Sequence, residues 1–180
     1  ASVYGLGIVR LMANARFSVD DRALVVALNK SVKGLQTDAR AAFDEGGAEM
    51  VKNARRWIEK HGKVDTGNYR DSLFAEVTNR RGQLTLTVGP PERLDIQGST
   101  LEFGRRPGSR MPPAGVLLPW MARHGIPESA EFVILRAIGR NGLQGQPFPH
   151  IGLAVDDSLP VFDAAFERVL DKLEANFYGG

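Results

Sequence analysis

The chain has no cysteine, and only three histidines and two tryptophans among 180 residues. Without a thiol there is no disulfide, no thiol nucleophile and no thiolate zinc site, a composition that suits a reducing compartment. His61, His124 and His150 are far apart, with no His-x-x-x-His pair, so no metal site is expected. No stretch approaches the roughly 18 apolar residues of a membrane helix. The opening "ASVYGLGIVRLMANARFSVDD" is too broken for a secretion signal. The expectation is a product without a membrane partner that stays in the cell that makes it. There is no Gly-x-Ser-x-Gly elbow and no phosphate loop. "GLGIVR" at 5–10 lacks the third glycine and the preceding strand of a dinucleotide fingerprint. The residues therefore assign no catalytic group, no metal and no cofactor.

Charge of either sign is nearly balanced: 23 Lys+Arg stand against 21 Asp+Glu, a net +2. A dedicated duplex-binding domain concentrates more positive charge on one face. The basic residues are mostly arginines and are partly bunched, at Arg55-Arg56, Arg80-Arg81, and Arg105-Arg106 with Arg110. They read as solvated or partner-facing. Hydrophobic residues make up 43% of the chain, enough for a sizeable core.

Residues 1–19 read as an N-terminal arm, and 20–180 as a single domain. Asp20 or Asp21 caps a short helix carrying Leu24, Ala27 and Leu28, which Gly34 is expected to break. Leu35, Ala39, Ala42, Phe43, Gly46, Met50, Ala54, Trp57 and Ile58 then recur at three- and four-residue steps, one face of a helix over 35–61. Gly62 is its C-terminal stop. Gly46 and Gly47 in its middle imply a bend or a close crossing by another element.

"SLFAEVT" and "QLTLTVG" alternate as strands around the turn Asn79-Arg80-Arg81-Gly82, and "STLEFG" at 99–104 reads as a further strand. A loop and helical insertion covers 104–146. It comprises the loop "RRPGSRMPPAG", a helix opening at Pro112 or Pro113 and closing at Gly125, and another from Glu128 to Gly142 presenting Phe132, Leu135 and Ile138. A last amphipathic helix carries Leu159, Val161, Phe162, Ala165, Phe166, Val169, Leu170 and Leu173. The fold class expected is α+β, a small antiparallel sheet packed by a long N-terminal helix and a C-terminal helix.

"VDTGNYRDSL" at 64–73 contains Asp65-Thr66-Gly67, the letters of the catalytic turn of aspartic peptidases. Such an enzyme needs two carboxylates within about 3 Å sharing a proton. Here the triplet follows the polar end of a helix instead of a hydrophobic strand, and "AIGRN" at 137–141 ends a segment with helical spacing. The triplet reads instead as a corner. Asp65 or Thr66 accepts a backbone N–H just downstream, and Gly67 lets the chain reverse into the strand at Leu73.

Taken in order, a helix, "VDTGNYRDSL", a hairpin ending "VGP", "LEFG", "MPPAGVLLPWMARHGI", "EFVILRAIGRNGLQGQPF" and a closing helix resemble the small neck and minor-tail proteins of long-tailed bacteriophages, the head–tail connector and tail-completion proteins. The resemblance covers roughly residues 20–175. It implies a structural virion protein, not an enzyme, that forms part of a ring joining head to tail. Its partners would be further copies of itself, six or twelve in the ring. A portal, adaptor or head-completion protein would lie on one side and a tail terminator or tail tube on the other, with genomic DNA passing the lumen. The implied location is the virion neck or tail, and the host cytoplasm during assembly. The arm 1–19 and the loop 104–110 are the segments expected to reach neighbours. Arg105, Arg106 and Arg110 would contact an acidic neighbour or the DNA, or serve only to solubilise the loop. The alternatives are a tail terminator ring subunit, a retroviral-type aspartic peptidase and a basic nucleic-acid-binding domain.

Overall fold

The computed structural model describes residues 22–144 and 149–178. The arm at 1–19 and the caps at Asp20 and Asp21 lie outside the described residues. Helix α1 spans Arg22–Lys60 without interruption. Gly34 does not break it, contrary to expectation. That glycine has open space around it, and its cost of about 1 kcal/mol is a propensity term that the surrounding helix overrides. The end is as expected: Gly62 has φ 62°. Its N–H donates to the Glu59 carbonyl at 2.9 Å, and that of Lys63 donates to Ile58 at 3.1 Å, the paired bonds of a Schellman stop.

After α2 (Asn68–Ser72) come β1 (Phe74–Arg80) and β2 (Gln83–Gly89). They pair as a hairpin through Arg81 and Gly82, at φ 55° and 83°, the doubly left-handed turn that matches strand twist. Asn79 Oδ1 accepts the Gly82 N–H at 3.1 Å. The expected alternation holds: Leu73 and Val77 are buried, whereas Phe74 and Glu76 are exposed.

The strand expected at 99–104 is instead helix α3 (Asp95–Phe103), entered through a 3-10 turn at Glu92–Leu94. As a strand, Leu101 and Phe103 would share a face. In the helix they diverge, so Leu101 packs on the core while Phe103 is 80% exposed. The inward stripe is Leu94, Gly98 and Leu101, at helical spacing.

β3 (Gly104–Arg105) pairs antiparallel with β4 (Leu143–Gln144), Gly104 opposite Gln144. Between them lie α4 (Leu118–Arg123) and α5 (Glu131–Asn141). α4 starts later than Pro112 or Pro113 because Gly115 adopts φ 84°, outside helical space. α5 buries Leu135 and Gly139, and Ile138 is half-buried, but Phe132 points outward at 61% exposure, against expectation. α6 (His150–Tyr178) begins well before Leu159 and carries Pro160 inside it. The fold is α+β, with a small two-stranded antiparallel sheet, a long N-terminal helix and a C-terminal helix.

The described residues fall into two compact units. The first contains α1 up to Gly47, Glu76–Thr87, and α6 from Pro160. Its core is Ala42, Ala165 and Val169, with Leu35 and Phe166 against it. Phe43 meets the rings of Phe166 and Phe162 edge-on, at 5.2 and 6.4 Å. A Cβ on Gly46 would overlap the Phe162 ring. This is the close crossing that the two mid-helix glycines imply.

The second unit comprises Ala48–Ala75 and Val88–Leu159. Val51, Ala54, Ile58, Tyr69, Leu73 and Ala154 make its core. Within it, Asn53 Nδ2 donates to Ser158 Oγ at 2.9 Å, and Ser158 donates on to the Ala154 carbonyl at 2.7 Å. These buried polar groups are thereby satisfied.

Candidate functional site

The Asp65-Thr66-Gly67 corner is built largely as the sequence implies. Thr66 Oγ1 accepts the Asn68 N–H at 3.3 Å, and Gly67 sits at φ 79°. Asp65 itself does not cap the turn. Both of its carboxylate oxygens accept from the Arg123 guanidinium of α4, one of them at 3.0 Å. The hydrogen bond from Arg123 holds the Asp65 carboxyl below its usual value, against an opposing effect of burial, with further help from the charges of Arg123 and His124. A carboxylate kept ionised by a two-point guanidinium clamp is poorly suited to the shared proton of an aspartic dyad.

Two ionisable side chains almost wholly withdrawn from solvent lie elsewhere in the second unit. Glu102 on α3 and Nδ1 of His150 on α6 are 2.9 Å apart, with side-chain exposures of 9% and 5%. The other ring nitrogen, Nε2, is 2.9 Å from the Tyr69 hydroxyl on α2. In the tautomer that donates from Nδ1 to the carboxylate, Nε2 accepts the Tyr69 O–H. The same carboxylate accepts the N–H groups of Ile151 (3.1 Å) and Gly152 (2.9 Å), which have no partner inside the first turn of α6.

Burial pushes the Glu102 carboxyl up. The hydrogen bond from His150, the two backbone N–H groups and the charge of His150 together bring it below its ordinary value. Tyr69 is pushed up to about 12, by burial first and then by the charges of Glu102 and Asp95.

A carboxylate, an imidazole and a hydroxyl in line have the order of a nucleophilic triad. Here the hydroxyl is the wrong one for attack. Its proton is held far above neutrality, and a Cβ on Gly98 would lie only 2.9 Å from it. The line fastens α2, α3 and α6 together. Sequence reasoning missed it because the strand reading turned Glu102 outward and His150 had no histidine nearby.

The three arginines singled out in the sequence do not act alike. Arg105 is half-buried and its guanidinium donates to the Arg110 carbonyl, bracing the loop from within. Arg106 and Arg110 are exposed. Ser109 Oγ closes the turn on the Arg106 carbonyl at 2.6 Å, and Gly108 N–H donates to the Arg140 carbonyl of α5 at 3.2 Å. A Cβ on Gly139 would touch the Met111 backbone at 3.2 Å, and one on Gly142 would overlap the Arg105 carbonyl oxygen. The loop therefore lies directly on the C-terminal half of α5. Arg136 and Arg140, both exposed there, are residues that the sequence reading passed over, although their four-residue spacing on a helix was visible.

Among the described residues no group of three or more His, Asp or Glu side chains could hold a metal ion, and no helix is long and apolar enough to cross a membrane. No protein-family model, no curated protein and no solved structure matches the chain.

Proposed function

We propose that this chain is a structural virion protein of a tailed bacteriophage, a subunit of the neck ring that joins head to tail. The reading begins from the order of segments that resembles the neck and minor-tail family. One structural observation carries it further. Ile96 and Phe103, two turns apart on one face of α3, are each 80% exposed. Phe132 and Val133 on α5 are 61% and 67% exposed. Large apolar side chains presented in this way suit burial against further protein, as in a ring of identical subunits. Such a ring, of six or twelve copies, would stand between a portal or head-completion protein and a tail terminator or tail tube. The Asp65 corner and the Glu102–His150–Tyr69 line then serve to keep the subunit body rigid.

The test is deletion of the gene from its phage or prophage, followed by electron microscopy of the lysate. DNA-filled heads beside loose tails of normal length are expected. Tails of abnormal length would move the protein to tail termination, the second position open to such a ring. Intact particles would overturn both.

A further inference from the structure

We propose that Arg106, Arg110, Arg136 and Arg140 form one surface that binds the phosphate backbone of double-stranded DNA. The proposal names the partner of one face of the subunit and rests on the neck reading for the setting in which DNA meets it.

The charge balance of the whole chain hides this surface. Between residues 103 and 155 there are six arginines, and the only acidic residues are Glu128 and Glu131. Two of the six are spoken for, Arg123 by Asp65 and Arg105 by the Arg110 carbonyl. Glu131 is half-buried and accepts the Gly115 N–H at 2.8 Å. The remaining four arginines are exposed, and among the described residues none of them forms an ion pair. Arg40, Arg56, Arg70, Arg123 and Arg168 all do.

The fold brings the four together. Gly108 is hydrogen-bonded to the Arg140 carbonyl, and Met111 lies on Gly139, so Arg106 and Arg110 come from a loop seated beside Arg136 and Arg140. The latter pair, four residues apart on a helix, have side chains rooted about 6 Å from one another. The glycines at 139 and 142 let the loop backbone come this close. Exposed apolar side chains border the arginines, Phe132 and Val133 four and three residues before Arg136 and Met111 next to Arg110, while the segment's two acidic residues, Glu128 and Glu131, stand at the opposite end of α5 from Arg140. A field of one sign, made of guanidinium groups, matches a uniform row of phosphates.

The experiment is fluorescence polarisation of a labelled duplex of about 25 base pairs, titrated with the full chain at a series of salt concentrations. Four phosphate contacts predict a log–log salt slope of about −3.6. Arg136→Glu/Arg140→Glu and Arg106→Glu/Arg110→Glu should each weaken binding at low salt by about tenfold or more and flatten the slope by about 2. The control is Arg80→Glu/Arg81→Glu on the hairpin, the same change in charge, which should leave affinity and slope unchanged. Glutamine versions of the pairs, with circular dichroism matching the parent, keep the comparison valid if a glutamate pair misfolds.

The proposal is overturned if the wild-type chain does not bind at about 50 mM salt, if the hairpin control loses as much as the others, or if the two arginine pairs prove dispensable. Competition by poly-glutamate as effective as by DNA of equal charge would reassign the surface to an acidic protein. Failure in any of these ways leaves the gene-deletion phenotype untouched. Intact particles after deletion would overturn the neck reading and leave the binding result standing.

Discussion

Glu102 and His150 meet at 2.9 Å with both side chains almost wholly removed from solvent, and the Glu102 carboxylate also receives the first free N–H groups of the helix that bears His150. One side chain of α3 thus holds both the ring and the backbone of the start of α6. Glu102 is ionised more readily in the folded protein than its usual value of 4.5 allows. A depressed carboxyl contributes stability that is present above about pH 4.5 and lost as pH falls through the folded value. Glu102→Gln should cost about 1.5–3 kcal/mol near neutrality, the worth of hydrogen bonds to a charged group. The difference between wild type and variant, read from urea unfolding, should shrink steadily below pH 4.5. A difference that stays constant to pH 3 would show that the carboxylate charge contributes nothing.

Tyr69 carries the opposite dependence. Its hydroxyl is pushed up to about 12 in the folded protein from an ordinary 10. A raised value contributes stability that is complete below pH 10 and lost as pH rises toward 12. Two pH units correspond to about 2.7 kcal/mol. Absorbance titration near 295 nm should show one phenol ionising late, and Tyr69→Phe should remove that step.

Glycine-to-alanine changes at two positions of α1 should have opposite signs. Gly34 has nothing within 4 Å of a built Cβ, so Gly34→Ala should stabilise by up to about 1 kcal/mol through helix propensity. Gly46 lies against the Phe162 ring, so Gly46→Ala should destabilise by about 1–3 kcal/mol through overpacking. Much of that loss should return in Gly46→Ala/Phe162→Ala relative to Phe162→Ala alone, as thermal melts of the four chains would report.

The Asp65 carboxyl should titrate below 3.8 because of the hydrogen bond from Arg123, and Arg123→Gln should bring it back up, measured by carbon-detected NMR. The sign matches that of Glu102, so any stabilisation is present above about pH 3.8 and lost toward acid. The pair is largely open to water, and Asp65→Ala should barely move the unfolding midpoint. If the corner serves geometry, that variant should also support particle assembly. A variant that folds normally and yet blocks assembly would reopen a chemical role for Asp65.

Local features of the chain were legible wherever a residue type constrains the backbone directly. Gly62 stops α1, Gly67 turns the corner, and Arg81-Gly82 closes the hairpin, because few residues tolerate positive φ. The hydrophobic period announced α1 and α6, and the two mid-helix glycines announced the crossing by Phe162. What failed was any reading that depended on distant partners. "STLEFG" alternates like a strand, but its Glu102 faces His150, 48 residues further along the chain, and the burial of that pair accompanies a helical turn. Phe132 belongs to a helix with a good apolar period, yet the side of α5 that is buried is the one on which Leu135 and Gly139 lie.

The candidate sites divide along the same line. Arg105, Arg106 and Arg110 are adjacent in the chain and could be found as a cluster, but their sequence cannot say that Arg105 turns inward while the other two join Arg136 and Arg140. Local propensity acts over a few residues and can be read from them. Which buried charges find partners, and which exposed ones are left to meet another molecule, depends on contacts between residues far apart in the chain.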